Sequence, residues 1–255
     1  MTVPIQDLLK AGTHFGHQTR RWNPKMEPFI FTERNGIHLI DLNKSVRRIE
    51  AASEIVRKTA QSGKAVLFVG TKPQAKDVIR EEAERCNMFF VTERWLGGML
   101  TNWQTIKQNI RHLDHLDRIS QDGTYEKLKK KEVLLLEKER KRMVKTLEGI
   151  RKMNGLPGLI YIVDIMREHG AISEAQKLGI PSVAIVDTNC DPDQVEFPIP
   201  GNDDAIRSIQ VITHEMADAV IEGRAANEKG KGARTEEDEE TTDVTSSGTE
   251  AKATA

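Results

Sequence analysis

Two apolar runs separated by one helix-length segment constrain the fold of this chain more than any other feature. They are "GLIYIVDIM" at Gly158–Met166 and "PSVAIVDTN" at Pro181–Asn189. Each run is short and almost wholly apolar, which is typical of a strand that is buried on both faces. The segment between them, "EHGAISEAQKLG", has the pattern of a helix. Strand, helix and strand at this spacing predict a parallel βαβ unit and therefore an α/β protein.

The same alternation extends towards the N-terminus and the C-terminus. "KAVLFVGTK" at Lys64–Lys72 and "MFFVTE" at Met88–Glu93 are further strand candidates. Apolar residues at helical spacing predict one helix at Asn43–Gln61 and another at Asp203–Glu222. A chain of 255 residues is long enough for one large α/β domain or two small ones, and the repeated strand and helix pattern predicts a parallel sheet within it.

The stretch from Thr101 to Asn154 breaks this alternation. Its apolar residues recur at steps of three or four from Trp103 to Ile119, and again from Leu136 to Met153, with the turn signal "SQDGTY" between them. Two amphipathic helices joined by a glycine-containing turn predict an antiparallel hairpin. Each arm of about 20 residues would be roughly 30 Å long. We expect this hairpin to project from the sheet.

These patterns divide the chain into three parts. Residues 1–102 and 154–226 are predicted to form the α/β domain, and residues 103–153 the inserted hairpin. Residues 227–255 contain almost no apolar side chains, so they are predicted to be a disordered acidic tail.

Charge is distributed unevenly along the chain, although the net charge is only -1. Residues 1–150 contain 28 Lys and Arg against 19 Asp and Glu, whereas residues 151–220 contain 5 against 11. Residues 235–255 contain 1 against 7. This asymmetry indicates a polyanionic partner for the first part of the chain.

A basic loop, defined as Gly12–Met26 ("GTHFGHQTRRWNPKM"), contains no acidic residue. Its cations beside Trp22 suit phosphate contacts together with stacking on a base or sugar. Two alternatives remain open. His14 and His17 are three residues apart, a spacing that can hold a metal on one helical face, but no Cys, Asp or Glu lies nearby. The loop could also be an ordinary solvated surface loop.

The segment "ERWLGGMLTNWQT" at Glu93–Thr105 is a second candidate. Its Gly97-Gly98 pair precedes a helix, and the exposed backbone N–H groups of such a start attract anions. The alternative is that Trp95 and Trp103 simply pack the hairpin onto the sheet. A basic run at Glu126–Lys145, with nine cations against four acids, could either follow a phosphate backbone or form a solvated helix face.

Two candidates lie where predicted strands end. Lys72 in "GTKPQAK" could reach a phosphate, although neither the Walker A nor the dinucleotide-binding glycine pattern is present. Six aspartates follow the later strands: Asp164, Asp187, Asp191, Asp193, Asp203 and Asp204. Such carboxylates can hold Mg²⁺ for phosphoryl chemistry, so an enzyme or a structural divalent metal remains possible. "DTNCDPD" is also ordinary turn chemistry.

Composition excludes several other classes of protein. No apolar run approaches the roughly 20 residues of a membrane span, and the N-terminus lacks the pattern of a secretion signal. Cys86 and Cys190 are far apart and unpatterned, which indicates a reducing cytosol. We expect no membrane attachment and no homo-oligomer.

Several long blocks of the sequence resemble one known family. They include "LLKAGTHFGHQTRRWNPKM" (Leu8–Met26), "VLFVGTKPQA" (Val66–Ala75), "RWLGGMLTNWQTI" (Arg94–Ile106) and "PIPGNDDAIRSI" (Pro198–Ile209). The βαβ block from Leu156 to Pro192 belongs with them. From about Ile5 to Val220 the chain is similar to the bacterial S-two family of small-subunit ribosomal proteins.

The resemblance implies a flavodoxin-like parallel sheet with an inserted coiled-coil hairpin, and a structural role in translation without catalysis or a cofactor. It implies a cytoplasmic location in the ribosome, between the head and body of the small subunit, and partners that include small-subunit rRNA, other ribosomal proteins and the large S-one protein. The implied RNA-binding residues are His17, Gln18, Arg20, Arg21, Trp22, Lys25, Arg94, Asn102, Gln104, Lys107, Lys130 and Lys131. Lys72, from the strand-end analysis above, is predicted to bind RNA with them. The residues alone leave two alternatives, a stand-alone α/β enzyme using Asp164, Asp187 and Mg²⁺, and a cytosolic scaffold whose hairpin binds proteins.

Overall fold

The computed structural model describes the backbone of residues 3–246 and the side chains of residues 3–229. The helices are α1 (Ile5–Ala11), α2 (Leu42–Gln61), α3 (Pro73–Arg85), α4 (Trp103–Gln121), α5 (Lys130–Leu147), α6 (His169–Leu178) and α7 (Ile206–Ser246). The strands are β1 (Phe15–Gln18), β2 (Ile30–Arg34), β3 (Ile37–Ile40), β4 (Val66–Val69), β5 (Phe89–Val91), β6 (Leu159–Val163), β7 (Ser182–Val186) and β8 (Phe197–Pro200).

A five-stranded parallel sheet forms the centre of the molecule, in the order β5-β4-β6-β7-β8. Counted along the chain within this sheet, the order is 2-1-3-4-5, the order of flavodoxin-like doubly wound folds. The predicted α/β class and the parallel sheet are therefore confirmed. The order reverses between β4 and β6, so the crevice in which this fold class binds ligands lies beyond the carboxyl ends of these two strands.

Helices cover both faces of the sheet. Because alternate residues of a strand point to opposite faces, both sets of strand residues are buried. Phe68 and Tyr161 lie in a hydrophobic cluster with residues of α2, α3 and α7. Leu67 and Ile160 lie in a second cluster with residues of α4 and α6. The Tyr161 hydroxyl, which is wholly buried, lies 3.0 Å from Thr213 Oγ1 in α7. This double burial explains why the strands read as continuous apolar runs.

A second, three-stranded antiparallel sheet has the order β1-β3-β2. β2 and β3 are joined by an Asn35-Gly36 turn in which both residues have positive φ, 53° and 73°. Asn-Gly is the strongest short signal for a two-residue hairpin turn, so the sequence contained this hairpin although the predicted elements did not include it. β8 was not predicted either, because Pro198 and Pro200 are unusual in a strand. This strand lies at the edge of the sheet, where proline is tolerated.

α4 and α5 lie side by side and are joined by polar contacts. Arg140 Nη1 of α5 donates to Asp117 Oδ1 of α4 at 3.1 Å, and Arg151 Nε, four residues after α5 ends, donates to Asp114 Oδ1 at 2.7 Å. Partner numbers therefore fall as the numbers along α4 rise, so the two segments run antiparallel. The supercoil of a coiled coil, and the projection of the pair from the sheet, stay predictions.

α7 continues past the predicted end of the α/β domain. The sequence predicts disorder from residue 227, but the helix extends to Ser246, so the predicted tail is not confirmed over residues 227–246. The physical reason is that this segment, although too polar to form a core, contains five Glu and two Lys, which favour helix once a packed helix precedes them, in spite of its two glycines. Residues 247–255 of the predicted tail lie outside the described residues. None of the described helices combines the length and the apolar character that a bilayer crossing requires.

Candidate RNA-binding surface

Lys72 lies in the crevice beyond the ends of β4 and β6, surrounded by carboxylates. Its Nζ is 3.3 Å from Asp164 Oδ2, 2.7 Å from Asp203 Oδ1 and 2.7 Å from Asp204 Oδ1. The Lys72 side chain is only 11% exposed. A phosphate would have to displace three carboxylates to reach it, so we revise the assignment of Lys72 as an RNA contact. Its charge is used inside the protein.

The acidic cluster, defined as Asp164, Asp187, Asp203 and Asp204, is paired with one lysine and one histidine. The lysine is Lys72, and the histidine is His17: its Nδ1 lies 3.1 Å from Asp187 Oδ2 and its Nε2 3.5 Å from Asp204 Oδ2. The hydrogen bond with Asp187 raises the pKa of His17 against the opposing effect of burial. Burial, with the charges of Asp187 and Asp164, raises the pKa of Asp203 to about 7, although Lys72 opposes this shift.

The histidine pair in the basic loop does not form the helical metal site that its spacing allowed. His17 belongs to β1, and His14 stacks against Phe15 with the ring centroids 4.1 Å apart. His14 lies in the turn before this strand, so the two histidines do not share the helical face that the spacing would need. Across the described residues, no group of three or more His, Cys, Asp or Glu side chains is arranged to hold a metal ion. The carboxylates of the acidic cluster have Lys72 and His17 as their partners instead.

The basic loop is fixed to the end of β7 by Thr188. The His17 N–H donates to Thr188 Oγ1 and the Asn23 N–H to the Thr188 carbonyl, both at 2.8 Å. Between these anchors, a 3-10 turn at Thr19–Arg21 exposes both of its arginines. The loop is therefore held firmly at the carboxyl-end edge of the sheet, while its cations face outward.

Four predicted residues of the basic loop are accessible and form no ion pair within the described part of the chain. Arg20 and Arg21 are exposed, and no described residue forms an ion pair with either of them. Gln18 is exposed and accepts a hydrogen bond from Arg20 Nε at 3.0 Å. Trp22 is 37% exposed, and its ring lies 5.2 Å from that of His38. An indole held in place but partly open to solvent is suitable for stacking on a base.

Lys25 is accessible but already paired. Its Nζ lies 2.9 Å from Asp191 Oδ2 and 2.9 Å from Asp193 Oδ2, and these two hydrogen bonds raise the pKa of Lys25. The aspartates belong to the turn after β7, and Asp191 is 166 residues from Lys25 along the chain, so the sequence could not reveal this pairing. We therefore assign Lys25 to anchoring the basic loop rather than to RNA.

The Arg94 segment, defined as Arg94–Lys107, begins three residues after β5 ends. Arg94, Asn102, Gln104 and Lys107 are all accessible to solvent, and no described side chain forms an ion pair with Arg94 or Lys107. Met26 at the end of the basic loop and Leu100 in this segment belong to the same hydrophobic cluster. The two segments thus pack on the same face of the sheet, and each lies beyond the carboxyl end of a parallel strand, the basic loop beside β7 and the Arg94 segment after β5.

The glycine-rich start of α4 does not leave its N–H groups open to an external anion. The carboxylate of Glu174 in α6 accepts hydrogen bonds from the backbone N–H groups of Gly98, Leu100 and Thr101, at 2.8, 2.9 and 3.0 Å. The predicted attraction for an anion is therefore satisfied within the protein. Glu174 could not be assigned from the sequence because it lies about 75 residues from the segment that it binds. The available signal was an acidic residue on the apolar face of the helix predicted between the two central strands.

Lys130 and Lys131 are exposed but lie elsewhere. They begin α5, and the full length of α4, about 28 Å for 19 residues, separates them from the start of the Arg94 segment. An RNA segment that contacts Lys130 and Lys131 must therefore differ from the segment that contacts the carboxyl-end edge of the sheet.

These features define a class of protein. The ligand crevice of this doubly wound fold is filled by the chain's own ion pairs, while unpaired cations and a partly exposed tryptophan lie outside it among the described residues, which is the arrangement of a binding protein. A comparison with known families gives the same class. The sequence model of the family described as ribosomal protein S2 matches residues 8–223. A similar relative is the small ribosomal subunit protein uS2 of Geotalea uraniireducens (strain Rf4), 58% identical over 224 residues that cover 88% of each chain.

The chain therefore belongs to the ribosomal protein S2 family. This is a family of structural, non-enzymatic proteins, and the place of such a protein is the ribosome in the cytoplasm. The resemblance seen in the sequence is confirmed.

Proposed function

We propose that this protein is a structural component of the small ribosomal subunit that binds small-subunit rRNA through the carboxyl-end edge of its parallel sheet. The observation that supports this most directly is the contrast between cations at that edge. Lys72 and Lys25 are neutralised by carboxylates, whereas Arg20, Arg21, Arg94 and Lys107 are accessible without an ionic partner among the described residues. Unpaired cations are those whose charge is free to replace the counterions of a phosphate backbone.

The recognition is of backbone and shape rather than of base sequence. Arginines present fixed donors that match phosphate oxygens, and Trp22 offers a flat surface to one base or sugar. Asn102 and Gln104 add neutral donors beside Lys107 at the start of α4. Contacts of this kind fix the orientation of a protein on RNA without reading its sequence.

Membership of the family supports two further parts of the proposal. The protein occupies the junction between the head and body of the small subunit, and it helps to seat the S-one protein. Lys130 and Lys131 at the start of α5 form a separate, second contact with rRNA. The similar relative is named as a small-subunit protein, which supports a place in that subunit.

A pair of double variants tests the sheet-edge surface. R21A/R94A removes two unpaired cations from the carboxyl-end edge. K64A/K177A removes two exposed cations from the opposite edge, since Lys64 precedes β4 and Lys177 lies in the last turn of α6. Both variants lose the same charge, so the net charge of the molecule cannot explain a difference between them.

Binding of each variant to a small-subunit rRNA fragment is measured by filter retention at about 0.1 M salt. We expect R21A/R94A to weaken binding about ten- to a hundredfold, and K64A/K177A to change it less than about threefold. Equal effects of the two variants would show that only net charge matters and would refute the assigned surface. Circular dichroism of both variants checks that the fold is retained.

A further inference from the structure

The segment between β5 and α4 is organised by a single carboxylate. Glu174 is 7% exposed, and each of its two oxygens accepts more than one hydrogen bond. Oε1 accepts from Trp95 Nε1 at 3.0 Å and from the Gly98 N–H at 2.8 Å. Oε2 accepts from the Leu100 N–H, the Thr101 N–H and the Thr101 hydroxyl, at 2.9, 3.0 and 3.0 Å.

These five hydrogen bonds keep Glu174 ionised. Burial opposes the charge, but the hydrogen bonds outweigh it and lower the pKa of Glu174. A carboxylate that accepts several backbone N–H bonds is strongly stabilised in its charged form. The anion is therefore present throughout the physiological pH range, and its geometry is fixed by the rigid helix α6.

The segment has few other backbone restraints of its own. It contains no strand, and its internal backbone hydrogen bonds before α4 run from the Met99 N–H to the Leu96 carbonyl and from the Asn102 N–H to the Gly98 carbonyl. Gly98 has a φ of +82°, a conformation that other residues rarely adopt. Burial of Met99 and Leu100 anchors the segment by its side chains, while the path of its backbone from Trp95 to Thr101 depends on the donors that Glu174 gathers.

We propose that Glu174 is a positioning residue for RNA binding: it holds Arg94 on one side of the segment and Lys107 on the other in the arrangement that lets both meet the phosphate backbone together. Glu174 itself does not touch RNA, because its oxygens face the backbone N–H groups. This inference rests on the proposed function. It assigns a role in binding to a residue of α6 that carries no exposed charge.

The testing variant is E174Q, which keeps the shape of the side chain. Glutamine replaces one acceptor oxygen by an NH₂ group, which faces N–H donors instead of accepting from them. We expect E174Q to fold, because Ala171, Ile172 and Ala175 still pack α6 on the sheet. E139Q is the matched control, since Glu139 is an exposed acid of α5 that contacts His112.

The measurement is the affinity for the rRNA fragment as a function of salt, for E174Q, E139Q and the double variant R94A/K107A, at a temperature well below the unfolding midpoint of each. We expect E174Q to weaken binding about tenfold and to reduce the magnitude of the log–log salt slope by about 1 to 2, as R94A/K107A does. E139Q should match the unaltered protein. If Glu174 only stabilises the fold, E174Q should lower the unfolding midpoint and leave the salt slope of RNA binding unchanged.

The outcomes separate the two proposals. If R94A/K107A lowers the slope and E174Q does not, the positioning role is refuted while the RNA-binding surface stands. If neither changes the slope, the assignment of the Arg94 segment to RNA fails as well. Hydrogen exchange of the Gly98, Leu100 and Thr101 amides provides a second readout: it should accelerate in E174Q, and unchanged exchange would refute the claim that the carboxylate holds the segment.

Discussion

Replacing Lys72 by methionine should destabilise the protein in a strongly pH-dependent way. Methionine keeps most of the volume of the lysine stem but removes the cation that Asp164, Asp203 and Asp204 share. Removing one partner of a buried ion pair typically costs about 3 to 5 kcal/mol, because the remaining charges are uncompensated. Asp204 is half exposed, so most of this cost comes from Asp203 and Asp164.

The pH dependence follows from the pKa of Asp203, which burial and its neighbours already raise to about 7. Loss of Lys72 raises it further. An acid whose pKa is higher in the folded than in the unfolded state contributes stability that is fully present below its unfolded pKa, about 4, and is lost as the pH rises through the folded value. The destabilisation of K72M should therefore be smaller near pH 5, where Asp203 is largely protonated and no longer needs the lysine, and reach about 3 to 5 kcal/mol near pH 8.5.

Urea unfolding followed by circular dichroism at pH 5, 7 and 8.5 measures this difference. K58M is the control, since Lys58 is an exposed lysine whose pairing with Glu54 is worth little in water. A loss of stability for K72M that is the same at pH 5 and pH 8.5 would show that the carboxylates are not the uncompensated groups, and would refute the reasoning.

Two further changes test other parts of the structure. Y161F should cost about 1 to 2 kcal/mol without changing the fold, because the buried Thr213 hydroxyl loses its partner; urea unfolding measures this, and an unchanged midpoint would contradict the buried hydrogen bond. H17Q should reduce stability more at pH 5.5 than at pH 8.5. The raised pKa of His17 means that its contribution is present below about 6.5 and is lost as the pH rises through the folded value. A loss that is larger at pH 8.5 would contradict the pairing with Asp187.

The central sheet could be predicted because the burial of each strand is visible in a short stretch of the sequence. Strands β4, β6 and β7 are buried on both faces, so each is a continuous apolar run that is visible in the sequence. α2 could be predicted for a related reason, since one face of the helix is apolar. β8 could not, because its two prolines act against a strand and only its edge position tolerates them.

The candidate site was predictable only in part, since pairing depends on contacts between distant residues. The exposed arginines of the basic loop and the cations of the Arg94 segment follow from local sequence. Lys72 and Lys25 have the same chemistry in the sequence, yet the fold pairs them with aspartates 131 and 166 residues away. Glu174 was missed for the same reason. Local patterns thus identify where charge is, while the fold decides which charge is available.

The most direct test of the account is the salt dependence of binding to a small-subunit rRNA fragment. If the unpaired cations meet about five to eight phosphates, the slope of log affinity against log salt should be roughly -4 to -7 for the unaltered protein. R21A/R94A should reduce its magnitude by about 1 to 2, and K64A/K177A should leave it unchanged. A slope near zero, or equal slopes for the two double variants, would contradict the claim that unpaired cations at the carboxyl-end edge carry RNA binding.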